Sequence, residues 1–354
     1  MWKLKIFSVS CVMLSSISVL LAQTVPHTFS PNTPAKASEV NENFEFLASE
    51  LREISINCNE GETITDAINS GYNVLTITGD CYGAFHVYAM DVQPFGMAPS
   101  EVANKPISRL TIKGSEENRL SRILPHPTIN LNSLVTSSGF LQLYNLTLVD
   151  RLMIGDNSMA YLNEVSYDSS DHRLSAYGNS YLRIDNSTIS GEIMAGESSI
   201  ITIKNSTITG HQDNEYEALS LDRNSHLETE SSVINGYVSV WWGSTYHDDS
   251  SQIDCLVSSE KSCVYGTYNS SIDLNNTTIN SITNFGLEAQ WNSLIYIYET
   301  EIINSNGNHI HLNAMSSLQA DGNSGHLMNV DCGLHVYIQD QTLTNNLVIP
   351  QDCW

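Results

Sequence analysis

Hydrophobic and polar positions alternate in a thirteen-residue pattern that recurs between Ser138 and Leu327. The clearest copies are NSYLRIDNSTISG (179–191), SSIITIKNSTITG (198–210) and NSSIDLNNTTINS (269–281). The fourth and sixth residues of a copy are usually apolar, and the fifth is mostly polar or aromatic. This period of two predicts a short strand. A second short strand follows within each copy, and a third extended segment lies between copies.

The copies recur at the period of a solenoid. Their fourth residues are spaced 19 to 26 positions apart. Nothing between the strands has the composition of a helix. Stacked coils would bury their aliphatic residues together, and crossovers between parallel strands are nearly always right-handed. The sequence therefore predicts an all-β, right-handed parallel β-helix of roughly 10 to 12 rungs. The predicted inner column is Leu141, Ala160, Leu182, Ile201, Leu227, Ile253, Ile272, Ile295 and Leu318.

The eighth position of several copies is asparagine, which tolerates a left-handed backbone. We expect the chain to bend there, with amide groups bonding from coil to coil. These asparagines are Asn145, Asn186, Asn205 and Asn276.

The stretch INCNEGETITDAI, which begins at Ile56, resembles the opening of many secreted bacterial β-helices, and the chain from Ile54 onward resembles the pectin-lyase-like superfamily. This resemblance specifies fold far better than function. It implies an N-terminal cap and first rungs over residues 54–114, β-helix repeats over 115–331, and a C-terminal rung and cap over 332–354.

The first 22 residues carry two lysines and an apolar run ending near Ala22, as a secretory signal peptide does. A secreted, extracellular protein is therefore expected, and its mature chain should not span a membrane. Residues 23–53 combine a linker with an amphipathic helical stripe of the form Val40, Phe44, Leu47, Leu51. This stripe would either pack on the open end of the solenoid or form a coiled-coil seam, so monomer and trimer both stay open.

The formal net charge of −24 argues against nucleic acid and other polyanions as partners, and it favours a neutral glycan or cell-surface polysaccharide. Six cysteines remain after the signal peptide, and an even number in an exported protein predicts three disulfides. Among about 15 connectivities, we expect pairing of neighbours: Cys58 with Cys81, Cys255 with Cys263, and Cys332 with Cys353.

Acidic residues occupy the outward fifth position of three successive copies: Glu228, Asp254 and Asp273, with Glu230 on the same side as Glu228. Carboxylates on neighbouring rungs have the spacing that glycosidases use. Such a stack predicts either a protonated member or a bound cation such as calcium. A solvated acidic strip is the simpler interpretation.

Two further sets of side chains could bind a ligand. Trp241, Tyr296 and Tyr298 could stack on sugars, whereas Trp242 and Trp291 are expected to be buried. His309 and His311 alternate on a strand, so both side chains can lie on the same face. They are weak candidates for a metal site, because no third candidate ligand lies at a spacing typical of metal sites.

The catalytic sets of β-helix enzymes are not evident. Asp248 and Asp249 follow His247, but the Gly-His-Gly and Arg-x-Lys elements of polygalacturonase-like enzymes are missing, and the few central basic residues form no cluster as in lyases. We therefore expect a non-catalytic, exported β-helix that presents a glycan-binding surface. The alternative is a glycoside hydrolase acting through the four acids, or a calcium-assisted polysaccharide lyase.

Overall fold

The structure is a computed structural model. It describes residues 51–82, 85–88, 107–115, 121–124, 133–136, 138–149, 151–168, 173–210, 217–256, 261–282, 284–304, 309–321, 328–333, 337–340 and 347–348. The chain divides into two units, Met1–Arg52 and Glu53–Trp354. The predicted signal peptide and nearly all of the amphipathic stripe lie outside the described residues.

The described elements are one 3-10 turn (Cys58–Glu60), one short helix α1 (Ile64–Asn69) and a long series of strands. The strands are, in chain order, β1 (Glu53–Asn57), β2 (Val74–Thr78), β3 (Asp80–Tyr82), β4 (His86–Tyr88), β5 (Arg109–Gly114), β6 (Arg122–Leu124), β7 (Ser133–Thr136), β8 (Phe140–Tyr144), β9 (Thr147–Leu148), β10 (Leu152–Ile154), β11 (Met159–Asn163), β12 (Ser166–Asp168), β13 (Leu174–Ala176), β14 (Tyr181–Asp185), β15 (Thr188–Ser190), β16 (Ile193–Ala195), β17 (Ile200–Lys204) and β18 (Thr207–Thr209). They continue as β19 (Glu217–Leu221), β20 (His226–Glu230), β21 (Val233–Asn235), β22 (Tyr237–Val240), β23 (Thr245–Asp249), β24 (Gln252–Cys255), β25 (Val264–Gly266), β26 (Ser271–Asn275), β27 (Thr278–Ser281), β28 (Leu287–Ala289), β29 (Leu294–Tyr298), β30 (Glu301–Asn304), β31 (Ile310–Leu312), β32 (Ser317–Asp321), β33 (Met328–Cys332), β34 (Tyr337–Asp340) and β35 (Leu347–Val348).

These strands form three parallel sheets, and each coil of the chain visits the sheets in turn. The first sheet has 13 strands, from β1 to β34, and contains the first strand of every repeat copy except that of Ser250. The second sheet has 10 described strands, from β3 to β30, and the third has 12, from β4 to β35. A strand pairs with the equivalent strands of the coils before and after it, as β11 does with β8 and β14. The predicted parallel β-helix is confirmed.

The interior is built from columns of aligned side chains, as the repeat predicts. One column in the first sheet runs Leu141, Ala160, Leu182, Ile201, Leu227, Tyr246, Ile272, Ile295 and Leu318, and each is at most 1% exposed. The prediction that Ile253 belongs to this column is wrong. Ile253 is buried, but it lies in the second sheet between Ile234 and Ile279. The repeat copy therefore begins at Gly243 rather than Ser250.

The chain turns from the first sheet into the second through one left-handed residue per coil, which we name the first corner. The predicted asparagines Asn145, Asn186, Asn205 and Asn276 all have positive φ, between 48° and 50°. This conformation points the N–H of Asn186 at the carbonyl of Lys204 in the next coil (3.0 Å). The amide of Asn186 donates to Oδ1 of Asn163 (3.0 Å), the seventh residue of the preceding copy, and that of Asn276 donates to Ser250 Oγ (3.1 Å), rather than to another eighth-position asparagine.

Just inside the first corner, a hydroxyl ladder satisfies backbone groups that would otherwise be buried without partners. The N–H of Ser187 donates to Ser206 Oγ (3.1 Å), that of Ser206 to Ser232 Oγ (3.2 Å), and that of Ser232 to Ser251 Oγ (3.1 Å).

A carboxyl group lies inside the same corner. Asp248 occupies an inward position and is 0% exposed. It accepts hydrogen bonds from Thr229 and from Thr277 Oγ1 (2.5 Å), and Thr229 is in turn bonded to the Tyr246 hydroxyl (3.0 Å). Burial raises the pKa of Asp248, against the lowering effect of hydrogen bonds from Thr229, Thr277 and Ser251. The neighbouring hydroxyls thus make a polar side chain tolerable in an aliphatic core.

The N-terminal end consists of β1, the short helix α1 and β2. Thr63 caps α1 by accepting a hydrogen bond from the N–H of Asp66 (3.0 Å). Among the described residues, none of the helices has the length and apolar content that a membrane crossing requires.

The disulfides Cys58–Cys81 and Cys255–Cys263 are both present, as predicted. Cys332 is disulfide-bonded, and Cys353 lies outside the described residues.

Candidate functional site

The outward face of the first sheet lacks the predicted row of three acids. In the column of fifth positions, the residue between Glu228 and Asp273 is His247. His247 Nδ1 lies 3.0 Å from Asp273 Oδ2. Asp254 lies in the second sheet, where Gln252 Nε2 (2.8 Å) and Asn280 Nδ2 (2.7 Å) donate to its carboxylate. The predicted carboxylate stack was wrong because it depended on the misplaced copy at Ser250.

Two other acids of this face form ion pairs with basic side chains. Lys204 forms an ion pair with Glu230, and Arg183 forms one with Asp185 (2.8 Å), as expected for neighbouring rungs and positions. The pKa of Lys204 is raised, mainly by its hydrogen bond to Glu230. The hydrogen bond to Asp273 likewise raises the pKa of His247, and burial opposes this shift. Basic side chains therefore compensate part of the negative charge on this face.

The three predicted ligand-binding aromatics lie in two places. Tyr296 and Tyr298 are half-buried on the outward face of the first sheet, and burial raises the pKa of Tyr296. Trp241 lies beside the third sheet, half-buried, with its ring edge-on to Tyr265 at 5.4 Å between ring centroids. The structure does not bring Trp241 together with the two tyrosines.

A stack of exposed aromatic rings lies where the third sheet turns into the first. Trp242 and Tyr268 have parallel rings, with centroids 4.3 Å apart and planes 7° apart, and Tyr268 and Trp291 follow at 6.1 Å and 7°. Trp242 is 54% exposed and Trp291 52%. The expectation that these two tryptophans are buried was therefore wrong. We name these three residues the aromatic corner.

The backbone of the aromatic corner is left-handed. Trp242, Tyr268 and Trp291 have φ of 50°, 55° and 52°, and the residue after each also has positive φ. Bulky side chains rarely adopt this conformation, and left-handed backbone costs roughly 1–2 kcal/mol per residue. The paired left-handed residues push each aromatic side chain outward, so that the rings of successive coils align.

An open cleft of about 780 Å³ lies beside this stack. Asp222, Arg223 and Asn224 line it from the coil that precedes Trp242. Arg223 leans away from Trp242, because its Nη1 binds Glu197 Oε1 (2.8 Å) and its Nε binds Asp222 Oδ2 (3.2 Å). The other carboxylate oxygen of Asp222, Oδ1, is buried and has no hydrogen-bond partner among the described residues. The cleft thus combines an exposed indole with the polar side chains of Asp222, Arg223 and Asn224.

The Gly243 backbone fits closely against this cleft. Gly243 has φ of +74°, and a Cβ there would lie 2.6 Å from Asn224 Oδ1. The glycine therefore lets the amide of Asn224 lie against the turn that carries Trp242.

The two candidate metal-binding histidines have protein partners. The N–H of Asn329 donates to His309 Nδ1 (3.0 Å), and His311 Nδ1 lies 2.8 Å from Asp331 Oδ2. His311 also stacks on Phe285, with centroids 4.7 Å apart. Within the part of the chain that the structure describes, no group of three His, Cys, Asp or Glu side chains could hold a metal ion.

A sequence signal for the aromatic corner exists, although the repeat analysis missed it. An aromatic residue directly precedes Gly-Ser or Asn-Ser at Trp242, Tyr268 and Trp291. The Ser is the second residue of each repeat copy, so the aromatic position recurs in register with the repeat.

Comparisons with known proteins do not identify a family for this chain. No protein-family model matches the chain, and no curated protein matches it in sequence. Among solved structures, the chain is similar to the Streptococcus pneumoniae surface protein and adhesin PfbA, at 10% identity and a TM-score of 0.31, over 78% of this chain and 94% of that chain. At this level the likeness supports no argument about the present molecule, and the assignment as a parallel β-helix rests on the strand pairing described above.

Proposed function

We propose that the protein is an exported, non-catalytic β-helix that binds glycans at the aromatic corner. The single observation that carries this proposal is the exposed, strained stack of Trp242, Tyr268 and Trp291 beside a polar cleft. Aromatic faces bind the C–H faces of sugars, and a few convergent polar groups fix their orientation. The acidic net charge of −24 favours neutral glycans over polyanionic ones.

A glycan array probed with the protein lacking residues 1–22 tests this proposal. The wild type should bind one class of neutral glycan, and Trp242→Asn should lose most of that signal, because asparagine keeps the left-handed backbone but removes the ring. Trp241→Phe, which alters an indole outside the corner, is the control. Binding that survives in Trp242→Asn would contradict the proposal.

A glycan-cleaving enzyme is the second candidate, and one observation favours it. Glu228 and the His247–Asp273 pair are adjacent in one outward column of the first sheet. A carboxylate next to an oriented imidazole can act as a general acid–base pair. Release of reducing ends that is abolished by Glu228→Gln, and retained by Asp254→Asn in the second sheet, would support this candidate. A calcium-assisted lyase would instead lose its activity in a chelator.

A further inference from the structure

The rings of the aromatic corner are stacked along the axis of the solenoid. They come from successive coils, which are about 4.8 Å apart along the axis, and their planes are within 7° of parallel. The ring planes therefore lie across the axis. Tyr268 has a tryptophan on each side, so only the outer faces of Trp242 and Trp291 can accept another flat ring.

The two ends of this stack differ in chemistry. The outer face of Trp242 looks toward the coil of Asp222, Arg223 and Asn224, and the side chain of Arg223 is held away from it by Glu197. The outer face of Trp291 looks toward the next coil, whose corner residues are Ala314 and Met315. Hydrogen-bonding groups therefore flank only the Trp242 end among the described corner residues.

The Trp242 end matches a pyranose ring that has hydroxyls at its rim and C–H groups on its face. A sugar lying on the indole would place rim hydroxyls toward Asp222, Arg223 and Asn224, the polar residues that line the cleft. A carboxylated or sulfated sugar would meet the carboxylates of Asp222 and Glu197 instead. The charges beside Trp242 therefore favour a neutral pyranose.

We propose that the aromatic corner binds one short segment of a neutral pyranose chain on the outer face of Trp242, with the chain running across the solenoid rather than along it. This proposal rests on the proposed glycan-binding function. The geometric basis of the proposal has two steps. A sugar stacked parallel to the indole lies in a plane that crosses the solenoid axis. An extended glycan runs roughly within the planes of its sugar rings, so the bound chain also crosses the axis. Such a chain passes the corner after two or three sugars.

Calorimetric titration with β-1,4-linked oligomers of glucose and of N-acetylglucosamine, from disaccharide to hexasaccharide, tests the proposal. Affinity should stop rising at the trisaccharide in at least one series. Trp242→Ala should lose at least about tenfold in affinity, a change of about 1.4 kcal/mol. Trp241→Phe, outside the corner, is the control and should leave affinity unchanged, whereas Trp291→Ala, which removes the ring at the other end of the stack, should lose clearly less affinity than Trp242→Ala.

Two further results separate this proposal from the proposed function. If affinity rises up to the hexasaccharide and Trp242→Ala and Trp291→Ala are equally impaired, the chain runs along the axis, and the present proposal fails while glycan binding stands. If neither series binds, and the array is also negative, both fail. Asp222→Asn, which leaves the ring stack in place, should weaken binding several-fold, and unchanged affinity in this variant would overturn the role assigned to the Asp222 side chain.

Discussion

At both corners that flank the first sheet the chain bends through left-handed residues, but the side chains of these residues differ between the two corners. At the first corner, each coil bends through one left-handed residue, and these residues are Asn, Ser or Glu. At the opposite corner, each coil bends through two left-handed residues. The first of these two is Asp156, Gly178, Glu197, Arg223, Trp242, Tyr268, Trp291 or Ala314, depending on the coil.

This difference separates structural from functional demands on a bend. Small polar residues meet the backbone requirement at the first corner, where they also bond to neighbouring coils. At the aromatic corner, ring stacking is worth about 0.5–1.5 kcal/mol for each of the two pairs, which is less than the left-handed cost of about 1–2 kcal/mol for each of the three aromatic residues. Stability alone therefore does not account for three stacked aromatic rings, two of them exposed, and strained residues of this kind cluster at ligand sites.

The largest expected effect comes from placing an unsuitable residue at the first corner. Asn186→Val puts a β-branched side chain at φ of 50° and removes the bond to Asn163. We expect a loss of about 2–3 kcal/mol in the free energy of unfolding, measured by urea denaturation. Asn186→Gly, which suits the backbone, should lose no more than about 1 kcal/mol. Equal losses in the two variants would show that the conformation of this bend does not matter.

The buried carboxyl inside the first corner should make stability depend on pH. Because the pKa of Asp248 is raised in the folded state, its contribution is fully present below its unfolded pKa and is lost as the pH rises through the folded pKa. Wild type should therefore lose on the order of 1 kcal/mol relative to Asp248→Asn between pH 4 and pH 8. Urea denaturation across this range measures the difference. Asp249→Asn, at the next and outward position, is the control and should leave the pH dependence of the wild type intact.

At the aromatic corner, stability should change little. Trp242→Asn relieves a bulky residue at φ of 50° but loses the stack on Tyr268. These effects oppose each other, so the free energy of unfolding should change by less than about 1 kcal/mol. A loss as large as that of Asn186→Val would show that the rings serve mainly to hold the fold together.

The smallest effect concerns the outward face between the two corners. Asp273→Asn should lower the pKa of His247 toward its ordinary value, because the hydrogen bond to Asp273 is the main cause of its raised pKa. In the wild type, the stabilisation from this pair is present below the unfolded pKa of histidine and is lost as the pH rises through the folded pKa. Both side chains are about one-third exposed, so we expect less than about 0.5 kcal/mol. NMR titration of the imidazole protons measures the pKa, and an unchanged value would remove Asp273 as its cause.

The sequence predicted the architecture because the repeat records burial directly: residues such as Leu182, Ile201 and Ile272 face inward at a fixed period. The prediction failed at one coil, where Tyr246 and Asp248 fill inward positions that are aliphatic in most other coils. An aliphatic pattern cannot recognise a buried carboxyl whose hydroxyl partners come from other coils. The predicted row of acids was wrong for the same reason, because the repeat was assigned in the wrong register at this coil and Asp254 lies in the second sheet.

The aromatic corner was harder to predict for a different reason. Tryptophan is usually buried, and only the paired left-handed turns at Trp242–Gly243 and Trp291–Asn292 direct these indoles to solvent. Their alignment depends on register between coils that are 19 to 26 residues apart in sequence.

Saturation-transfer NMR with a bound neutral oligosaccharide tests the central claim most directly, because it reports which sugar protons touch the protein. The account predicts strong saturation of the C–H protons on the face of two or three consecutive sugars, and loss of this signal in Trp242→Asn. Saturation spread evenly along the oligosaccharide, or a pattern that persists without the Trp242 indole, would contradict it.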